Sequence, residues 1–443
     1  MTHLLASPWI PAAALLMLAC GARLISQSWF APSVFASALW AVFVATALCI
    51  APDYPVSSLS IWLITVLILA VQVGALCGEG APAKKANLAW VQPRRQIRLL
   101  PFVLTFSLLA SFGPIYLAIE TIREHDLANS IVRFLAVGHL LSVARYSGEQ
   151  EPILYRAVLT WLYPAAALAG IDFALARVRG RKVASLVVFV PALLVGLFQS
   201  EKAPTLIAIC LWLGTYLATK GYSKDVKYRL SKKKLAIGIV TFVSAAVCFY
   251  VVLDAIKTNE KKDDFVVEAD WARVKSSFVG SLSVFSQWAD KADTGPMTYG
   301  AYTFAGVFDI FGARPRQQGI YDVSITLPDG VESNIYTAFR GLIQDFSLPG
   351  ALVACVVAGW LAGSSYRNST SGRFEKSPIL AAYYAFFCFS PIISLFTYNG
   401  PILALVVCAL ACRAMGKSAA PSSKRIVRPN PSDVVQGLTG GCL

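Results

Sequence analysis

The chain is poor in the residues that build soluble catalytic centres. Its 443 residues include three histidines, His3, His125 and His139. None stands at ligand spacing from Cys or Glu, so no zinc site is expected. It has no Asp-x-Asp pair of the kind that holds a divalent cation against a nucleotide sugar, no nucleotide-binding loop, and no nucleophile motif with a partner base. Residues 1–22 contain no Lys or Arg, so a cleaved signal peptide with a basic leading region is not expected. Of ten cysteines, nine lie in or beside apolar runs and Cys442 lies in the tail. That placement argues against a disulfide framework and for small apolar packing residues.

What is abundant is hydrocarbon. Hydrophobic residues make up 56% of the chain and charged residues only 14%, so the apolar runs dominate its physics. A bilayer core about 30 Å thick needs roughly 20 apolar helical residues, and every backbone group inside must be satisfied within its helix. The pattern predicts an all-α polytopic membrane protein with about eleven transmembrane helices. They fall near 8–25, 33–51, 57–78, 99–119, 152–176, 183–200, 203–219, 235–255, 337–362, 378–396 and 400–415. The implied organisation is N-terminal spans in 1–119, an amphipathic segment in 120–151, central spans in 152–255, a large loop in 256–336 between helices 8 and 9, C-terminal spans in 337–415 and a disordered tail in 416–443.

The basic residues fall in alternate gaps. Lys84, Lys85, Arg94, Arg95 and Arg98 follow the third span, and Arg177, Arg179, Arg181 and Lys182 follow the fifth. The gaps at 52–56 and 397–399 hold no Lys or Arg, and 201–202 holds one, Lys202. Lys and Arg near span ends favour the cytoplasm. The tail is therefore expected inside and both long loops outside, with the N-terminus outside, or inside if the first span, which holds Pro11, is re-entrant. The net charge of +14 is mostly this bias, helped by anionic headgroups, and nucleic acid is not an expected partner.

Polar residues concentrate where the large loop re-enters the membrane. In SNIYTAFRGLIQDF, residues 333–346, Asn334, Tyr336 and Thr337 are expected at the water interface, with Arg340 one turn into the helix and Asp345 deeper. An ionisable group at mid-bilayer costs about 2.5–3.5 kcal/mol even on the lenient insertion scale. Arg340 can snorkel, whereas Asp345 needs a hydrated cavity or a partner. A second cluster is FQSEKAPT, residues 198–205, with Glu201 and Lys202 at the tip of a hairpin. A lysine at a helix start opposes the helix dipole; its partner is either the neighbouring Glu201 or a phosphate. Arg145, Arg156, Arg314 and Arg316 are further cations on that side. In the large loop, the stretch 270–289 reads as an amphipathic helix, and 294–333 is rich in Gly and Pro.

The run SNIYTAFRGLIQDF, preceded by GPMTYGAYTF at 295–304, resembles the Wzy-type oligosaccharide repeat-unit polymerases of O-antigen and capsule. Members of that family typically carry Asn-x-Tyr-Thr and then Asp-Phe-Gly at this re-entry. Here the triplet ends in Ser347, a departure. The hairpin FQSEKAP looks like a short basic turn of the same family, and the resemblance covers about 25 residues in motif and roughly 100–400 in layout. It implies a multi-pass protein of the bacterial inner membrane. The implied activity is a metal- and cofactor-independent glycosyltransferase working at the periplasmic face. Donor and acceptor would both be glycans on undecaprenyl pyrophosphate, embedded among membrane lipids, with a chain-length regulator as a further partner. On that reading Arg340 and Lys202 grip the departing pyrophosphate, and Arg145 and Arg156 support them. Asn334, Tyr336 and Thr337 orient the sugar or the loop, and the base that accepts the acceptor hydroxyl proton is one of Asp290, Asp309, Glu332 and Asp345. Rival readings are an O-antigen ligase, a flippase or transporter for the lipid-linked unit, and a non-catalytic scaffold or sensor.

Overall fold

The computed structural model describes residues 7–80, 98–124, 137–138, 140–141, 152–199, 201–222, 271–291, 296–312, 321, 323–370 and 374–417. Fourteen helices place the site: α1 (Trp9–Ser26), α2 (Pro32–Ile50), α3 (Ser58–Gly80), α4 (Leu100–Glu124), α5 (Ile153–Leu159), α6 (Leu162–Leu175), α7 (Arg179–Ser185), α8 (Phe189–Gln199), α9 (Ala203–Tyr222), α10 (Trp271–Asp290), α11 (Ala305–Ile310), α12 (Ala338–Thr370), α13 (Ser377–Phe389) and α14 (Asn399–Lys417). A two-residue hairpin, β1 (Ile325–Thr326) against β2 (Glu332–Ser333), is the only sheet among the described residues. Among the described residues eight helices or helical runs are long and apolar enough to cross a membrane, and α13 and α14 are shorter apolar helices. The chain is an all-α polytopic membrane protein. The expected span at 235–255, most of the segment 120–151 and the tail beyond Lys417 lie outside the described residues.

Four expected spans differ in detail. The run at 152–176 is two helices, α5 and α6, separated at Thr160–Trp161. The run at 183–200 begins earlier, at Arg179, and passes through a 3-10 turn at Leu186–Val188. The span at 378–396 stops as an α-helix at Phe389. Pro391 cannot donate to the ladder, and the Ser390 carbonyl accepts instead from the Ala338 amide at 2.9 Å. The span at 337–362 runs on to Thr370 but is broken at Ser347, whose φ of 58° and ψ of 171° are not helical. α12 is therefore a half-helix, 338–346, followed by a full membrane helix.

The longest packing seam runs between that second part of α12 and α3. A Cβ at Gly74 would fall 2.0 Å from the Val356 carbonyl oxygen, and one at Gly359 would fall 2.0 Å from that of Val71. A Cβ at Gly78 would fall 2.5 Å from the Trp360 carbonyl oxygen, and one at Gly363 would fall 2.2 Å from that of Ala75. Two Gly-x-x-x-Gly faces thus meet backbone to backbone, the arrangement that lets membrane helices associate without a hydrophobic driving force.

The connections divide between two ends of the bundle. At one end, here called the cap, α10 lies across the loops at 51–57 and 390–398. Its buried face is rich in serine, and these serines bond to the ends of the spans beneath. Ser283 donates to the Pro55 carbonyl at 3.0 Å and Ser281 to the Pro391 carbonyl at 2.6 Å. Ser286 accepts from the Ser57 amide at 2.7 Å. The loop holding Ser394 joins through a 2.8 Å bond to the Thr303 carbonyl. The opposite end carries Arg98, Arg177, Arg179, Arg181, Lys182, Lys220, Arg367 and Lys376. There the buried Asp172 receives Arg181 and the Ser185 hydroxyl, the latter at 2.7 Å, and Glu79 accepts from the Ser33 amide and hydroxyl at the start of α2.

Candidate functional site

The half-helix 338–346 sits at the cap end, wedged among several elements. Its first amide bonds Ser390 at the end of α13, and Phe339 packs 4.9 Å from Trp40 of α2. Trp40 is fully buried and donates its indole N–H to the Ser390 hydroxyl at 3.0 Å. These contacts fix the axis from which Arg340 projects.

Arg340 is only 6% exposed. Its guanidinium carbon lies 3.7 Å from the centre of the Tyr336 ring, 3.9 Å from that of Tyr321 and 5.5 Å from that of Trp288. The three rings come from three places: Tyr336 just before α12, Tyr321 from the loop and Trp288 from the last turn of α10. Tyr336 and Tyr321 are themselves edge to face at 5.0 Å. The Tyr336 hydroxyl donates to the Val323 carbonyl at 2.9 Å. Burial pushes both phenols above their ordinary range even though the neighbouring Arg340 charge pulls the other way, so both rings stay neutral. Cation–π contacts are worth about 2 kcal/mol or more each when desolvated. They do not replace hydrogen bonds, and the buried Nε and Nη1 of Arg340 have none. Among the described residues no carboxylate pairs with the guanidinium. Two further buried hydroxyls nearby in sequence or packing, Thr337 Oγ1 and Thr303 Oγ1, and the carbonyl oxygen of the Gln344 side chain are also without partners. A burial of this kind ordinarily costs several kcal/mol per ion unless an opposite charge arrives.

Asp345, fully buried, has its oxygens taken. Oδ1 accepts from the Thr298 hydroxyl at 2.5 Å and the Tyr302 amide at 3.0 Å, and Oδ2 accepts from the Thr303 amide at 2.6 Å. Its carbonyl also receives the Tyr299 amide at 3.0 Å. The partner that sequence reasoning demanded for this carboxylate is therefore the loop 298–303, not a cation.

The remaining expected residues are spread around this centre. Thr337 is fully buried beside Arg340, whereas Asn334 is exposed and its side-chain amide reaches the Tyr321 carbonyl at 3.4 Å. Arg156, in α5, is half-buried with Nε lacking a hydrogen-bond partner. Lys202 stands at the start of α9, half-buried, at the cap end. Glu201 beside it lies close enough to Tyr398 to help raise that phenol, after burial, to about 12. Of the other carboxylates, Asp290 is exposed and accepts from the Ser57 hydroxyl at 2.7 Å, Glu332 is exposed on β2, and Asp309 is half-buried in α11. Arg145, Arg314 and Arg316 lie outside the described residues. Sequence reasoning missed the cage: Trp288 and Tyr321, and Tyr302 that stacks behind Tyr321, stood out only as aromatic content of the loop. The usable signal was a buried-helix arginine followed back along the chain by a tyrosine at i−4.

The described residues hold no cluster of three or more His, Cys, Asp or Glu placed to bind a metal ion. Compared with protein-family models, curated proteins and solved structures, the chain matches none.

Proposed function

We propose that this protein transfers lipid-linked glycans at the periplasmic face of a bacterial inner membrane, as a Wzy-type repeat-unit polymerase with about eleven spans. The observation that carries the reading is Arg340, a buried guanidinium with two unpartnered nitrogens at the end of the bundle away from the main basic clusters. Positive residues favour the cytoplasm, so the cap with its large loop faces the periplasm and the tail faces inward. A buried cation with no carboxylate partner among the described residues fits a ligand that brings negative charge. A pyrophosphate leaving group gains charge as its bond to the sugar breaks, and a preorganised cation in a dry site stabilises that charge most at the transition state.

Ser347 supports the same reading. The resembled triplet ends in glycine, and the corresponding residue here has a φ of 58° and ψ of 171°, a conformation glycine takes without strain. In this scheme Arg340 and Lys202 hold the donor's pyrophosphate, with Arg156 in support. The acceptor sugar's hydroxyl attacks the donor's anomeric carbon, the C–O bond to pyrophosphate breaks, and the proton passes to a carboxylate. Asp290, Asp309 and Glu332 remain the candidates for that role, because the oxygens of Asp345 are already occupied.

The test is the glycan ladder from cells carrying Arg340→Ala or Lys202→Ala at matched membrane levels. Each variant is expected to lower polymer by about 10²–10³. Unchanged ladders from both would overturn the clamp. Polymer accumulating on the carrier lipid in cells lacking the protein would point instead to a ligase.

A further inference from the structure

We propose that Asp345 is a positioning residue: it straps the loop 298–303 onto the half-helix 338–346 so that Tyr302 backs Tyr321 against the Arg340 guanidinium, whose Nε and Nη1 stay unspent. This rests on the reading of Arg340 as an anion-binding cation.

Four hydrogen bonds tie this loop to Asp345. Three end on the carboxylate, two of them from the consecutive amides of Tyr302 and Thr303, and the fourth joins the Tyr299 amide to the Asp345 carbonyl. Hydrogen bonds to a charged group are shorter and stronger than those between neutral partners, so the strap is strong for its length. The amide held by Asp345 belongs to Tyr302, whose ring stacks on Tyr321 at 5.1 Å with an interplanar angle of 18°. Tyr321 in turn lies 3.9 Å from the guanidinium carbon. The path from carboxylate to cation is thus loop amide, Tyr302 ring, Tyr321 ring, Arg340. The loop can approach so closely because residue 341 is glycine: a Cβ there would lie 3.0 Å from the Tyr321 hydroxyl and 3.4 Å from the Tyr302 Cβ. The strap also follows the geometry of the chain. Asp345 is two residues before the break at Ser347, so the end of the half-helix is secured by the loop rather than by the following helix.

The experiment uses the full-length protein purified in detergent, with inorganic pyrophosphate as the probe. Hydrogen exchange of the peptide covering 297–304 reads the strap, and calorimetric titration reads the cation. For Asp345→Asn, which keeps the shape but loses the charge and turns one acceptor into a donor, exchange at Tyr302 and Thr303 is expected to accelerate. Pyrophosphate affinity is expected to fall about tenfold, and that fall should vanish in the Arg340→Ala background, because the two residues act through one contact. Asp345→Glu, which retains the charge, should recover part of the affinity. If Arg340→Ala removes binding while Asp345→Asn leaves it unchanged, the positioning role is overturned and the reading of Arg340 stands. An additive loss in the double variant overturns it equally, since a general weakening of the fold would not depend on Arg340. If Arg340→Ala leaves binding unchanged, the anion-site reading falls and takes this role with it, whatever the exchange shows.

Discussion

The seam between α3 and α12 and the cap above it are built from opposite materials, although α12 belongs to both. In the seam nothing larger than hydrogen fits at Gly74 or Gly359, and the contacts are backbone against backbone. In the cap the contacts are long-range and directional: serine hydroxyls to loop carbonyls, a carboxylate to loop amides, rings around a cation. The difference follows from the solvent. Inside a bilayer helices gain little by burying apolar side chains against each other, so close approach does the holding. At the water interface hydrogen bonds compete with solvent and must come as sets. The seam therefore tolerates no added volume, whereas the cap tolerates substitution but loses position.

The largest expected effect breaks the seam. Gly74→Leu or Gly359→Leu must displace a backbone carbonyl, which cannot rotate away, and overpacking at this severity costs ~3 kcal/mol or more. Thermal unfolding of the detergent-purified variants should show the loss. Gly21→Ala is the control, because a Cβ at Gly21 has nothing within 4 Å and alanine favours a helix by about 1 kcal/mol. Equal behaviour of the two substitutions would remove the seam as a distinct region.

In the cap the matching change is Arg340→Lys. It retains the charge but loses the planar face that lies against Tyr321 and Tyr336. The unfolding midpoint is expected to move little. On the proposed function, polymer output should drop about tenfold, equivalent to the ~1–2 kcal/mol separating a stacked guanidinium from an ammonium here. A variant that unfolds as readily as the glycine variants would show that the cap and the seam are one cooperative unit.

How far these regions were legible in the sequence differs in the same way. Eight of the expected spans were readable because apolar runs of about twenty residues match the thickness of a bilayer, and the amphipathic stretch at 270–289 appears one residue displaced as α10, Trp271–Asp290. The break at Ser347 was not readable from periodicity, but Pro349 two residues on marks it: proline cannot donate to the Asp345 carbonyl four residues back, and that carbonyl accepts the Tyr299 amide of the strap instead. Arg340 was readable as an anomaly, a cation within an apolar run. Its cage was not, because Trp288, Tyr321 and Tyr336 are brought together across a loop by contacts no local pattern encodes. The seam carried a signal in plain sight, glycines at 74 and 78 and at 359 and 363, but the pairing of the two faces needs the fold.

The joint between the regions gives the third prediction. Ser347 holds a φ of 58° with a ψ of 171°, a region essentially reserved for glycine, which costs a residue with a Cβ of the order of 1–3 kcal/mol. Ser347→Gly should therefore stabilise the protein by about 1 kcal/mol, less than the full strain because glycine also loses more freedom on folding. A urea or thermal unfolding series reads it. Destabilisation by glycine would mean that the serine side chain, not the bend, sets the joint.

The smallest effect concerns the far edge of the cap. Lys275 of α10 bonds Asp53 at 2.8 Å, lies 3.6 Å from Asp329 in the hairpin turn, and sits 4.5 Å from the Tyr54 ring centre. The Tyr54 hydroxyl donates to Asp329 at 2.6 Å, joining the loop 51–57 to the hairpin. The hydrogen bond from Lys275 holds the Asp53 carboxyl below its ordinary range, and the same bond holds the Lys275 ammonium above its own. A lowered carboxylate contributes above its unfolded value, near 3.9, and the contribution is lost as pH falls through the folded value. A raised ammonium contributes below its unfolded value, near 10.4, and that is lost as pH rises through the folded value. The tie should thus hold α10 across neutral pH and loosen at both extremes. Asp53 is solvent-exposed, so its effect on global stability should be too small to resolve and only local exchange will report it. After correction for the intrinsic pH dependence of exchange, peptides from 271–290 should be protected equally between about pH 5 and 9, with protection falling below about pH 4. Asp53→Asn should lower the neutral plateau slightly and flatten the acid limb while sparing the alkaline one, because Asp329 still faces Lys275. An acid limb that survives in Asp53→Asn would shift the tie to Asp329 and make the hairpin, rather than the loop 51–57, the anchor of α10.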